Sequence, residues 1–212
     1  MSARKLVSLV VALLVASLAA GCGAFARQPP AKQRFVLAPG VPTADPGSRL
    51  ATVLRVDLVR GSPFVVNRGF VYQTRRDTVV SDFYNEFYAP PGVLVRDALV
   101  EWLRGTGRFE AVVRSSEAPS QWILEADLER MLADVEDPAA ATAQLDLVLR
   151  LLDARAGDPR LVFSTRYVES EPAATREPQA LVDAWSRALG RVLAEVASDT
   201  TAAIAAAAKP PR

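Results

Sequence analysis

Hydrophobic and polar residues alternate with a period of two through most of this chain, and with a helical period in two stretches. The most regular alternation begins at Trp122. Trp122, Leu124, Ala126, Leu128 and Leu132 share one side, and Glu125, Asp127 and Glu129 share the other. After a turn around Asp137-Pro138, Ala143, Leu145, Leu147, Leu149 and Leu151 line one side of a second run. Together they predict a long hairpin with a single apolar face. Gly157-Asp158-Pro159 then turns the chain into a strand at 161–168. Nearer the N-terminus, short strands are expected at 34–37, 70–73 and 109–114, with a less regular aromatic stretch at 78–88. In the strand at 52–59, Leu54, Val56 and Leu58 are expected to share the buried side, opposite Arg55 and Asp57.

The helical period appears first after Pro90-Pro91-Gly92, where Val95, Leu99, Trp102 and Leu103 form one stripe that Gly105-Thr106-Gly107 ends. It returns from Pro178 to about Ala208, with Leu181, Trp185, Leu189, Val192 and Val196 on the apolar side. Pro178 suits a first helical turn. Asp183 with Arg187, and Arg191 with Glu195, are spaced as i,i+4 ion pairs. The alanine-rich end from Ala202 reads as a disordered terminus, and 209–212 as a flexible tail. Strands with one apolar side and helices with one stripe predict an α+β fold. The expected architecture is a single domain, with a twisted, mixed, largely antiparallel sheet and both amphipathic helices on one face. The first helix is placed to cross over between the strands at 52–59 and 109–114, which makes that pair parallel.

Composition narrows the chemistry. Of 212 residues 50% are hydrophobic, and Lys+Arg 25 nearly balances Asp+Glu 24, so no nucleic-acid partner is suggested. With His 0, every mechanism that needs an imidazole base or ligand is excluded. A single cysteine excludes an internal disulfide and a thiolate metal site, and no metal or cofactor is expected. The carboxylates Glu125, Asp127 and Glu129 would lie about 7 Å apart along a strand, near the separation that inverting glycosidases use. Arg150 is expected roughly opposite Glu125, however, which favours a charge-paired, solvated face over catalysis.

The lone cysteine has its own setting. Arg4 and Lys5 precede an apolar run from Leu6 to Leu18, and Leu18-Ala19-Ala20-Gly21-Cys22 follows. This reads as a secretory signal segment and resembles the lipobox of bacterial lipoproteins; the alternatives are an uncleaved transmembrane anchor, for which the run is shorter than the about 20 residues a span needs, and ordinary secretion. The resemblance implies removal of 1–21 and acylation of Cys22, the membrane anchor. A residue other than Asp after the cysteine (here Gly23) implies sorting to the periplasmic face of the outer membrane rather than the inner. Residues 22–33 then read as a lipidated tether, and 34–208 as the folded domain.

Arg34-Phe35-Val36-Leu37, Leu54-Arg55-Val56, Phe70-Val71-Tyr72-Gln73, the Phe83 to Leu103 segment with Ala89-Pro90-Pro91, and Phe109 to Val113 occur in an order that carries a second resemblance. They are similar to the ABC-transport auxiliary lipoproteins, the PqiC-type family that accompanies MCE lipid transporters. Gln73 and Tyr88 depart from that pattern, which more often has a basic residue and Trp there. The resemblance implies a non-enzymatic accessory of a phospholipid transporter, with an MCE-domain periplasmic protein and its ABC permease and ATPase as partners. It leaves open a bound lipid and a homo-oligomer. A rival reading is a plug or scaffold lipoprotein of another outer-membrane machine, such as the one that inserts lipopolysaccharide. Candidate contacts to partner or lipid are Tyr72, Tyr84, Tyr88, Pro90 and Pro91. Tyr84 and Tyr88 are expected outside, with Phe83 and Phe87 in the core, because a phenol tolerates water better than a benzyl ring.

Overall fold

The computed structural model describes residues 31–43, 47, 49–114 and 119–208; Cys22, the signal segment, most of the tether and the tail at 209–212 lie outside the described residues. The elements run β1 (Gln33–Phe35), β2 (Leu50–Gly61), β3 (Gly69–Arg75), β4 (Thr78–Phe87), α1 (Pro91–Gly105), β5 (Phe109–Val113), β6 (Trp122–Asp134), β7 (Thr142–Asp153), β8 (Arg160–Pro172) and α2 (Pro178–Ala207).

One 8-stranded sheet is organised by β6. The antiparallel hairpin expected from the alternation covers one edge of it along its whole length: β7 pairs β6, and β8 pairs the far edge of β7. Along the other edge β2 and β3 follow one another, both parallel to β6. The sheet therefore branches. β5 extends the β2 branch in parallel, as the crossover through α1 requires. β4 extends the β3 branch antiparallel, and β1 closes it in parallel.

Both helices cover the same face. Ala143, Leu145, Leu147, Leu149 and Leu151 of β7 are fully buried beneath them, as are Val95, Leu99 and Leu103 of α1 and the whole predicted stripe of α2. Trp185 wedges α2 against the β3–β4 branch, its ring centroid 5.2 Å from that of Phe70 and 5.4 Å from that of Phe87. Its indole N–H donates to the Leu132 carbonyl at 3.2 Å.

Two bulges overturn expectations drawn from strict alternation. Between the pairs Val56–Leu124 and Val59–Ala126, β2 uses one residue more than β6. The extra residue flips the face, so Val59 packs on the core while Leu58 is 68% exposed. Between Leu128–Leu147 and Arg130–Asp146, two residues of β6 oppose one of β7. Met131 and Ala133 thereby enter the core, and Leu132 turns to the opposite face, where it is still buried.

The α2 cations also choose other partners than expected. Arg187 binds Glu171 at 2.7 Å, and Arg191 binds Glu169 at 2.8 Å and Glu171 at 2.6 Å. These acids lie on β8, on the side that α2 covers, so a cross-element pair replaces the i,i+4 pair. The alanine-rich end is helical to Ala207, held by the buried Ile204 and by Arg155 donating to the Ala207 carbonyl at 3.3 Å.

Candidate contact surface

The outer face of the sheet carries the carboxylates considered for catalysis. Glu125 pairs with Arg150 in the ladder, as its spacing from the turn implied. Arg150 reaches Glu125 at 3.5 Å and also binds Asp127, while Arg60 binds Asp127 at 2.6 Å and Glu125 at 3.6 Å. Burial would raise the Asp127 carboxyl, but hydrogen bonds from Arg60 and Arg150 hold it below the usual aspartate range. Arg166 bridges Glu129 at 3.0 Å and Asp146. The face is a lattice of compensated charge.

The aromatic stretch is arranged by Asp82. Its Oδ1 accepts from the backbone N–H of Tyr84 at 2.7 Å and of Asn85 at 3.0 Å, and its Oδ2 accepts from Asn85 Nδ2 at 2.8 Å and from the Tyr72 hydroxyl at 3.1 Å. Between the pairs Val71–Ser81 and Gly69–Glu86, β4 accordingly bulges residues 82–85 away from β3, while Asn85 keeps its pairing with Gln33 of β1. The excursion passes so near Gly69 that a Cβ there would lie 2.6 Å from the Asp82 carbonyl oxygen.

The consequence falls on Phe83. Alternation predicted it inside with Phe87, but Phe83 is 68% exposed and Phe87 is buried. Phe83 and Tyr84 stand edge to face on the excursion, with centroids 5.2 Å apart. Tyr84 and Tyr88 are exposed, as expected, Tyr88 to 65%. Tyr72 is half-buried against the core, its phenol held above the usual tyrosine range by burial and by Asp82. Pro90 is exposed and its carbonyl accepts the first helical N–H groups of α1, from Val93 at 2.9 Å and Leu94 at 3.3 Å. Pro91 is buried instead.

This aromatic ledge adjoins the point where the chain enters the fold. The Tyr88 N–H donates to the Phe35 carbonyl at 2.7 Å, continuing the β1–β4 pairing. Lys32 places its ammonium 4.4 Å from the centroid of Phe83. Lys32 and Arg34 both bind the Glu86 carboxylate, at 3.2 and 2.9 Å, and their hydrogen bonds hold it below the usual glutamate range.

A second feature had no periodic signal in the sequence. After β1, residues 36–43 form a strap between the helices. The Ala38 N–H donates to the Ser186 hydroxyl at 3.0 Å, and the strap runs so close to α2 that a Cβ on Gly190 would lie 2.5 Å from the Pro39 carbonyl oxygen. A groove of about 560 Å³ opens between the strap and α1, walled by Leu37, Val41, Pro42, Leu94, Ala98 and Trp102. Gly190 in the middle of a predicted helix was the available clue, since a close backbone approach is a common reason for such a glycine.

A branched mixed sheet with two helices on one face places the chain in a class of α+β domains already seen in bacteria. Protein XCC0632 from Xanthomonas campestris shares the fold with a TM-score of 0.77 at 18% identity, over 84% of this chain and 99% of that one. The hypothetical protein CT253 from Chlamydia trachomatis does so with a TM-score of 0.53 at 8% identity, over 74% and 99%. The chain belongs to the ABC-type transport auxiliary lipoprotein component family, whose model matches residues 35–197. No curated protein matches it. Among the described residues, no helix is long and apolar enough to cross a membrane.

Proposed function

We propose that this chain is a lipid-anchored accessory subunit of an MCE-type ABC transporter of phospholipid, held at the periplasmic face of the outer membrane by acylated Cys22. The observation that carries the proposal is the family match across 35–197, downstream of a cysteine that follows small residues and an apolar run. In this scheme 1–21 are removed, 22–33 form the tether, 34–208 make the working domain and 209–212 trail from it. Gly23 in place of Asp supports sorting to the outer membrane. ATP turnover belongs to the partner ATPase, since no GxxxxGK[ST] loop occurs in the sequence given. The accessory contributes position: its acyl chains fix one end, and its domain presents a surface to the transporter's periplasmic part.

Affinity purification of the tagged lipoprotein from cross-linked cell envelopes tests this. Recovery of an MCE-domain protein with its permease and ATPase is expected. Recovery of a lipopolysaccharide-inserting barrel without MCE components would overturn the proposal in favour of the plug or scaffold reading. Gene neighbourhood offers an independent check, because MCE, permease and ATPase genes are expected beside this one.

A further inference from the structure

We infer that the ledge formed by Phe83, Tyr84, Tyr88 and Val36 seats the domain on the bilayer in which Cys22 is anchored, with Lys32 at its rim among the lipid headgroups. The inference rests on the lipid-anchored reading and adds to it a defined orientation of the domain.

Three observations converge. The first is position. Ten residues separate Cys22 from Gln33, a reach of at most about 40 Å at 3.3–3.6 Å per residue. The chain enters the fold at β1, and β1 pairs with β4, the strand that carries the ledge. Whatever membrane holds Cys22 is therefore within reach of these side chains.

The second is the kind of surface. Phe83, Tyr88 and Val36 are all more than half exposed, and Tyr84 stacks edge to face on Phe83. Aromatic rings with one apolar and one wet end gather at the bilayer interface, where the ring sits at headgroup level. Asp82 holds the excursion by four hydrogen bonds and so keeps two of these rings turned outward, against the alternation of β4.

The third is charge. Lys32, Arg34 and Arg68 gather around Glu86, the first two in ion pairs with it. Three cations against two carboxylates, Glu86 and the Asp82 that holds the excursion, leave a net positive charge beside the exposed rings, which suits lipid phosphates. The outer face of β6 and β7, by contrast, has its charges internally paired.

The test uses the acylated full-length mature lipoprotein in liposomes containing phospholipid brominated near the top of its acyl chains. Phe83→Trp introduces a fluorophore on the ledge, and the emission it adds over wild type is the readout. Strong quenching of that added emission is expected. Val168→Trp, on an exposed position of β8, lies five strand spacings of about 4.8 Å from β1 and should not be quenched. Tyr88→Trp repeats the measurement should Phe83→Trp disturb the excursion.

Acylated protein whose added emission is unquenched in both ledge variants overturns the inference while leaving the anchor intact. Added emission that changes only when the MCE component is supplied also overturns it, and assigns the ledge to that protein. Failure of the anchor itself reads out separately, as an N-terminal peptide without acyl mass, and defeats the inference together with the reading beneath it.

Discussion

Gly190→Ala separates the packing described here from helix propensity by the sign of its effect. Gly190 lies inside α2, where replacing glycine with alanine ordinarily stabilises a helix by about 0.8–1 kcal/mol. Here the new methyl would sit 2.5 Å from the Pro39 carbonyl oxygen, well inside van der Waals contact and against backbone. The strap must lift. Lifting it breaks the hydrogen bond from Ala38 to Ser186, a net loss of about 1 kcal/mol. Uncovering roughly 100 Å² of apolar surface beneath the half-buried Leu37 and Pro42 adds about 2.5 kcal/mol at ~25 cal/mol per Å². Set against the propensity gain, the net loss is about 2–3 kcal/mol, which lowers Tm by roughly 4–12 °C in a domain of this size. A thermal melt followed by circular dichroism measures it. In a Ser186→Ala background, where the strap is already loosened, the same substitution should cost less, as expected for coupled neighbours. A Gly190→Ala protein that melts higher than wild type would refute the seating of the strap.

Leu54→Asp and Leu58→Asp look equivalent by alternation, but the β2 bulge separates them. The first buries an unpaired carboxylate at a cost of several kcal/mol and should leave no folded protein. The second should change stability by about 0.5 kcal/mol or less, and chemical denaturation of both decides. Acid provides another check. Hydrogen bonds from Arg155 push the Asp153 carboxyl down to about 2, and Asp127 is lowered as well. Folded-state values below the unfolded ones stabilise the fold above about pH 4, and that contribution is lost as pH falls towards 2. Melts from pH 5 to 2 should show this decline, and Asp127→Asn should make it shallower. At pH 7 Asp127→Asn should cost only about 1 kcal/mol or less and leave function intact, as befits a partly exposed ion pair. Loss of function in a folded Asp127→Asn protein would revive a catalytic role for this face.

The long elements were legible because each repeats one period over many residues. The five inward residues of β7 and the α2 stripe from Leu181 to Val196 are buried as read. Even the Glu125–Arg150 pair follows from the length of the turn. What misled was any place where one residue is added to a ladder. The insertions near Leu58 and Glu129 leave composition and mean hydropathy untouched yet reverse the face of everything beyond them. Phe83 is the same lesson at the contact surface: four hydrogen bonds to Asp82 outweigh the preference of a benzyl ring for the core. The i,i+4 pairs on α2 failed for a different reason. Glu169 and Glu171 compete for the same arginines from a strand that helical spacing cannot place beside α2, because it reaches that position only once β7 and β8 have paired. The strap was invisible because its position depends on both helices being docked first.

Lipid anchoring of the domain depends on the chemistry of one side chain. Mass spectrometry of the N-terminal peptide, isolated from outer membranes separated from inner membranes by density, should find Cys22 as the first residue, carrying acyl chains. Cys22→Ser should remove that mass and release the domain from the membrane fraction. An unmodified peptide that begins upstream of Cys22, or membrane retention unchanged in Cys22→Ser, would contradict the account.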